Sequence, residues 1–265
     1  MADDAMHPVD DLTKRTPFVA CQADARCSYC LYVPETIHHV LVYVHGTERD
    51  AAYYRNHLAD FAEANNVLIV APLFPAGLID PHDVDNYKVL RFHDMRFDLI
   101  LFDMLREIRD KYSIMERQFL LGGFSGGAQF AHRFSYFYGA HLLGLSIATP
   151  GRVTLLNNRY DWWVGIRNIA GMFERPIHRE AMRDLPVQLL IGSDDNKDIT
   201  IIPDSPYWTD GANLAGTTRA ARLNALHYQY EQLHADVSMH IVPECAHVWL
   251  PAIIHFFERI IRNNP

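Results

Sequence analysis

Apolar positions along the chain fall into two rhythms. Continuous apolar runs occur at "HHVLVYVHG" (His38 to Gly46), "NVLIVAP", "LLGLSIATPG", "PVQLLIG" and "VSMHIVP". Runs of this length bounded by Gly or Pro predict strands buried on both faces. Between them, apolar residues recur at helical spacing. The clearest case is "DMRFDLILFDMLREIRDKY", where Phe97, Ile100/Leu101, Met104/Leu105 and Ile108 share one face. Further helices are predicted over about 51–65, 217–234 and "LPAIIHFFERIIR" near the end. Strands alternating with helices imply a mostly parallel sheet flanked by helices on both faces. "PFVACQ" and "SYCLYVP" predict two short strands at its front, placed as an antiparallel edge. Residues 73–90, rich in Pro, Gly and Asp, predict a long loop. The rhythm breaks again over 152–184, which is expected to form a small lid. No repeat or flexible linker divides the chain. The expected organisation is a loose N-terminal arm over 1–16 and one domain over 17–265.

One apolar run ends unusually. In "LLGGFSGGAQFAHRF", Ser125 has Gly123 two residues before it and Gly126 and Gly127 directly after. Upstream lies a short strand; downstream Ala128, Ala131, Phe134 and Tyr138 recur at helical spacing. A strand turning sharply into a helix holds one residue in a strained conformation with its side chain at the tip. Flanking glycines let backbone and helix approach without clashing Cβ atoms. The pattern is the G-x-S-x-G nucleophile elbow in its required context.

Composition narrows the partners. The 265 residues are 49% apolar and 21% charged, as in ordinary globular proteins. A net charge of −8, with Lys14–Arg15 the only adjacent basic pair, argues against binding nucleic acid or an anionic membrane. No apolar segment reaches the roughly eighteen residues of a membrane span. The acidic start lacks the apolar core of a secretory signal. Four cysteines do not make a disulfide scaffold, and the single C-x-x-C of Cys27 and Cys30 has no second pair to complete a zinc site. The expectation is a cytoplasmic protein without metal or cofactor. "HD" at His93–Asp94 reads as a helix start, with Asp94 near the N-terminal dipole.

Sites in such sheets lie outside the carboxyl ends of the strands. Asp194 and Asp195 follow "VQLLIG", His247 follows "MHIVP", and His45-Gly46-Thr47 follow "VLVYV". Serine needs a base near neutral pH, which histidine supplies. A buried carboxylate on the other ring nitrogen fixes the tautomer and stabilises the imidazolium. Two backbone amides suit the developing oxyanion, one from Gly126 at its helix N-terminus and one from Thr47. His45 is expected to order its turn without touching substrate. The chain order of nucleophile, acid and histidine is that of the α/β-hydrolase triad.

From about Pro17 onward the chain resembles the α/β-hydrolase superfamily. Through "YVHGTERDAAYYR", "APLFP", "GGFSGGAQFAHRF" and "ATPGR" it is similar to the esterase branch of polyhydroxybutyrate depolymerases and feruloyl esterases. The superfamily's acid commonly sits three residues past the glycine ending its strand. On "GSDD" that position is Asp195, and a one-residue shift in the turn would make it Asp194. The resemblance implies a cofactor-free serine hydrolase of a small carboxylic ester or lactone, with Ser125, His247 and Asp195 as triad. The same triad would also serve acyl transfer, amide hydrolysis or C–C bond cleavage. A binding protein on a hydrolase scaffold usually lacks a triad member, and here all three are present. Phe124, Tyr53, Trp162, Trp163 and Trp249 are candidate pocket residues, since pockets favour aromatic linings.

Overall fold

The structure is a computed structural model that describes residues 12–249 and 251–264. Its main sheet has the order β1-β2-β4-β3-β7-β8-β9-β10. The strands are β1 (Val19–Ala20), β2 (Ser28–Tyr32), β3 (His39–Val44), β4 (Val67–Leu73), β7 (Phe119–Phe124), β8 (Leu142–Ala148), β9 (Pro186–Gly192) and β10 (Asp236–Val242). β2 runs antiparallel to both of its neighbours, β1 and β4, and all pairs from β4 to β10 are parallel. The front strands therefore form the antiparallel edge that the sequence predicts.

Continuous apolar runs work where both faces of the sheet are covered. The expectation fails for "VSMHIVP", because β10 is an edge strand and none of its residues is buried, with Ile241 62% exposed. Along β3, Val40, Val42 and Val44 join one core, while Leu41 and Tyr43 join the other. The first core takes α3 (Phe97–Tyr112), α4 (Gly126–Tyr138) and α6 (Arg219–Gln232). The second takes α1 (Ala51–His57), α2 (Ala59–Asn65) and α7 (Ile253–Asn263). Cys27 and Cys30 point into separate clusters and do not pair.

Several boundaries differ from the sequence expectation. The helix expected over 51–65 breaks at Leu58 into α1 and α2. β4 runs through Pro72 to Leu73 because β2 pairs with it to the end, with Tyr29 opposite Pro72. Asp94 does not start a helix. His93 has φ 52°, and β6 (Met95–Arg96) folds back on β5 (Arg91–Phe92) before α3 opens at Phe97. The acid in the first turn is the buried Asp98, held by Arg96 at 2.6 Å and by the Tyr138 hydroxyl at 2.8 Å. Of the N-terminal arm, residues 1–11 lie outside the described residues. Residues 14–16 are tied to β2, with the Val33 amide on the Lys14 carbonyl (2.8 Å) and the Thr16 amide on the Leu31 carbonyl (3.0 Å).

Two irregular segments frame the carboxyl ends of the strands. In the long loop after β4, a 3-10 turn over Asn86–Val89 buries Tyr87. Its hydroxyl lies 2.9 and 3.0 Å from the His45 and Gly46 carbonyls and so braces the loop after β3. Residues 152–184 contain only the short helices α5 (Ile169–Phe173) and a 3-10 turn over Glu180–Met182. This segment packs on α4: the Tyr136 hydroxyl donates to the Thr154 carbonyl at 2.6 Å, and Phe173 stacks on Phe137 at 4.8 Å.

Candidate active site

Ser125 sits at the tip between β7 and α4 with φ 54° and ψ −104°, a strained region for a residue bearing Cβ. The amide of Ser125 is fixed on the Ala148 carbonyl at 2.9 Å. The glycines around it are required by contact. A Cβ on Gly127 would lie 2.0 Å from the Val44 carbonyl oxygen, and one on Gly123 would lie 2.3 Å from the Gly127 carbonyl carbon. Only glycine lets α4 settle against β3 and leave the serine hydroxyl at its N-terminus.

The ends of β9 and β10, beyond β8 in the sheet, bring an acid and the histidine to that hydroxyl. His247 Nε2 is 3.1 Å from Ser125 Oγ, and its Nδ1 is 2.8 Å from Asp195 Oδ2. The turn after β9 can approach the His247 loop because Gly192 lies under it, where a Cβ would fall 2.1 Å from the Cys245 carbonyl oxygen. Asp194 is turned away, exposed, and accepts from the Ser193 hydroxyl at 2.9 Å. The carboxylate in contact with His247 is thus Asp195, which is buried.

Asp195 has a second partner absent from the sequence expectation. Arg219 Nη1 donates to Asp195 Oδ1 at 2.8 Å, leaving Oδ2 for the imidazole. Arg219 is the first residue of α6, where a cation opposes the helix dipole. That mismatch was the one sequence signal of a tertiary role. Burial pulls the His247 pKa down, Arg219 adds to this, and Asp195 only partly offsets them. The upward shift that a dominant carboxylate would give does not arise, because burial, with Arg219 behind it, outweighs Asp195. The Phe124 ring packs on His247 at 4.8 Å.

The Gly126 and Thr47 amides, the expected oxyanion donors, donate to no protein acceptor among the described residues. Thr47 is held from two sides. Its carbonyl accepts from Arg49 Nη1 at 2.6 Å, and its hydroxyl accepts from Lys88 Nζ at 2.7 Å. His45 orders this loop from beneath. One ring nitrogen donates to the Gly46 carbonyl (2.7 Å), and the other accepts from the Phe74 amide (3.1 Å). Burial lowers its pKa to about 3, so the ring stays neutral.

The candidate pocket aromatics divide into two groups. Trp162 and Trp163 line a cleft of about 460 Å³, opposite Tyr207 and Trp208 from the loop before α6. Arg152 lies in its wall, with its guanidinium 4.3 Å from the Tyr207 ring centroid and 5.2 Å from that of Trp163. Arg152 pairs with Asp85 at 2.9 Å, and Asp85 also pairs with Lys88. Phe124, Tyr53 and Trp249 do not line this cleft. Tyr53 stacks on His57 at 3.9 Å, and Trp249 meets the same ring edge-on at 5.3 Å. Sequence reasoning missed Asp85, Lys88, Arg152, Tyr207 and Arg219. All but Arg219 sit in irregular stretches without a periodic signal.

No protein-family model and no curated protein matches the chain. Solved structures do. The chain is similar to poly(aspartic acid) hydrolase-1 from Sphingomonas sp. KT-1, with TM-score 0.67 and 19% identity over 89% of this chain and 92% of that one. It is similar to a poly(3-hydroxybutyrate) depolymerase from Bordetella parapertussis, with TM-score 0.67 and 23% identity over 83% and 80%. A fluorophosphonate-binding serine hydrolase of Staphylococcus aureus matches at TM-score 0.57 and 13% identity over 88% and 92%. The protein has the α/β-hydrolase fold. Ser125, Asp195 and His247 follow the carboxyl ends of β7, β9 and β10. At these identities the likeness is one of architecture.

Proposed function

We propose that this chain is a serine hydrolase that cleaves a carboxylic ester or lactone through an acyl-enzyme. The observation that carries the reading is the His247 ring, bridging Ser125 Oγ and Asp195 Oδ2 at 3.1 and 2.8 Å. Ser125 Oγ attacks the carbonyl carbon while His247 Nε2 takes its proton. Asp195 holds the ring through Nδ1–H and stabilises the imidazolium. The Gly126 and Thr47 amides receive the oxyanion, and the imidazolium returns the proton to the leaving alkoxide. Water, activated by the same nitrogen, then attacks the acyl group and releases Ser125. Trp163, Tyr207 and the Arg152 guanidinium between them favour a compact aryl or cyclic group with a polar substituent. No described helix is long and apolar enough to cross a membrane. The buried thiols Cys21, Cys27 and Cys30 suit a reducing compartment, which supports the cytoplasm.

A fluorophosphonate probe should label the native protein once and leave Ser125→Ala unlabelled. Labelling of the Ala variant at another serine would sink the assignment. The likeness to a poly(aspartic acid) hydrolase, whose polymer is joined by amide bonds, favours amide hydrolysis as the second reading. Parallel ester and amide substrates with identical acyl groups separate the two.

A further inference from the structure

Lysine is among the residues least often buried, and a buried ammonium is expensive unless it is paired. Lys88 is 4% exposed. Its stem runs along α4 at Gly126, where a Cβ would lie 2.7 Å from Lys88 Cε. Its ammonium rests on Thr47 Oγ1 at 2.7 Å and pairs with Asp85. One side chain thus touches both residues whose amides are assigned to the oxyanion. Asp85 is not its private counter-ion, because Arg152 takes the other carboxylate oxygen at 2.9 Å. Two cations share one carboxylate, and Arg49 adds a third charge on the Thr47 carbonyl. Another acid, Glu48, stands on the Thr47 loop, and its carboxylate oxygen would lie 2.9 Å from a Cβ on Gly46.

We propose that Lys88 is a positioning residue for the oxyanion hole, holding Thr47 through its hydroxyl so that the loop amide faces the developing anion. A mere packing role does not call for an ion here, since an apolar side chain of similar length fills the same space without the desolvation cost. Burial lowers the Lys88 pKa, while Asp85 works to keep it charged. Asp85 and Arg152 also line the aromatic cleft, so the hole and the cleft share one ion-pair chain.

The inference rests on the serine-hydrolase reading. The test measures kcat and KM on 4-nitrophenyl acetate for Lys88→Met, Thr47→Val, their double variant and Thr47→Ser, with melting temperatures for each. Deleting a whole oxyanion donor costs about 100- to 1,000-fold in kcat. Loosening one should cost about tenfold or more, with KM changed by less than about threefold. Because both single variants break the same contact, the double variant should lose no more than the worse single one. Thr47→Ser, which keeps the hydroxyl, should lose clearly less kcat than Thr47→Val. Losses that multiply in the double variant, or an unchanged kcat in Thr47→Val, would overturn the proposal. If Lys88→Met fails to fold, Thr47→Val and Thr47→Ser decide alone. A wild type that neither turns over the ester nor takes a fluorophosphonate removes the hydrolase reading and this one with it. Normal wild-type turnover with indifferent variants removes only the role of Lys88.

Discussion

The smallest unit with a testable consequence is the pair of groups on Asp195. A histidine acts as base only when neutral, so activity falls as pH drops through its pKa. Because burial and Arg219 depress that pKa, the acid limb should lie below the roughly 6.5 of an ordinary histidine. Replacing Arg219 with Gln removes a charge that opposes the imidazolium and leaves Asp195 unopposed. The limb should then move to higher pH, read from kcat against pH for the acyl group in question. A limb that stays in place means that Arg219 is a strut and nothing more. Asp195→Asn should lower turnover by about 10⁴-fold, as in other triads, and Asp194→Asn should do far less. Reversed effects would exchange the roles of the two aspartates. The meeting of Ser125, Asp195 and His247 was legible because each follows a strand end. Arg219 was not, because its meaning depends on α6 reaching across to β9.

Elements are legible in proportion to how strictly packing constrains them. Strands buried on both faces must be continuously apolar, so their runs stand out from "VLVYV" to "VQLLIG". The break at Leu58 and the late start of α3 depend on local turns that the apolar rhythm does not encode. The elbow is the extreme case of constraint. Gly127→Ala would press a methyl onto the Val44 carbonyl oxygen from 2.0 Å, where backbone on both sides cannot yield. Chemical unfolding should show a loss on the order of 3 kcal/mol or more. Gly171, in the middle of α5, is the opposite: a Cβ there meets nothing within 4 Å. Gly171→Ala should stabilise by about 0.5–1 kcal/mol through the unfolded chain's lost freedom. Equal effects at the two positions would show that contact geometry does not govern them.

At the scale of the whole molecule, the cleft exists only because distant segments meet. Residues 152–184 were visible as a break in pattern, but the opposite wall, Tyr207 and Trp208, comes from beyond β9, and no local signal announces that pairing. The meeting assigns different duties to two adjacent residues. Trp162 donates its indole N–H to the Val89 carbonyl at 2.8 Å and packs on Phe173 at 5.0 Å, which fastens the segment. Trp163 instead carries the Arg152 guanidinium over its ring at 5.2 Å, which presents a flat face and a cation to the same cleft. Aromatic walls interleaved with Arg152, Asp80, Asp83 and Asp85 suit a short or aryl group with a polar substituent better than a long apolar chain. Turnover should therefore be clear on short-chain and aryl esters and weak on micellar long-chain lipids. Trp162→Ala should lower the melting temperature and depress all substrates alike. Trp163→Ala should change stability less and shift the ratio of kcat/KM between aryl and short alkyl esters. A preference for long-chain lipids, with that ratio unmoved by Trp163→Ala, would show that the substrate lies elsewhere than in this cleft.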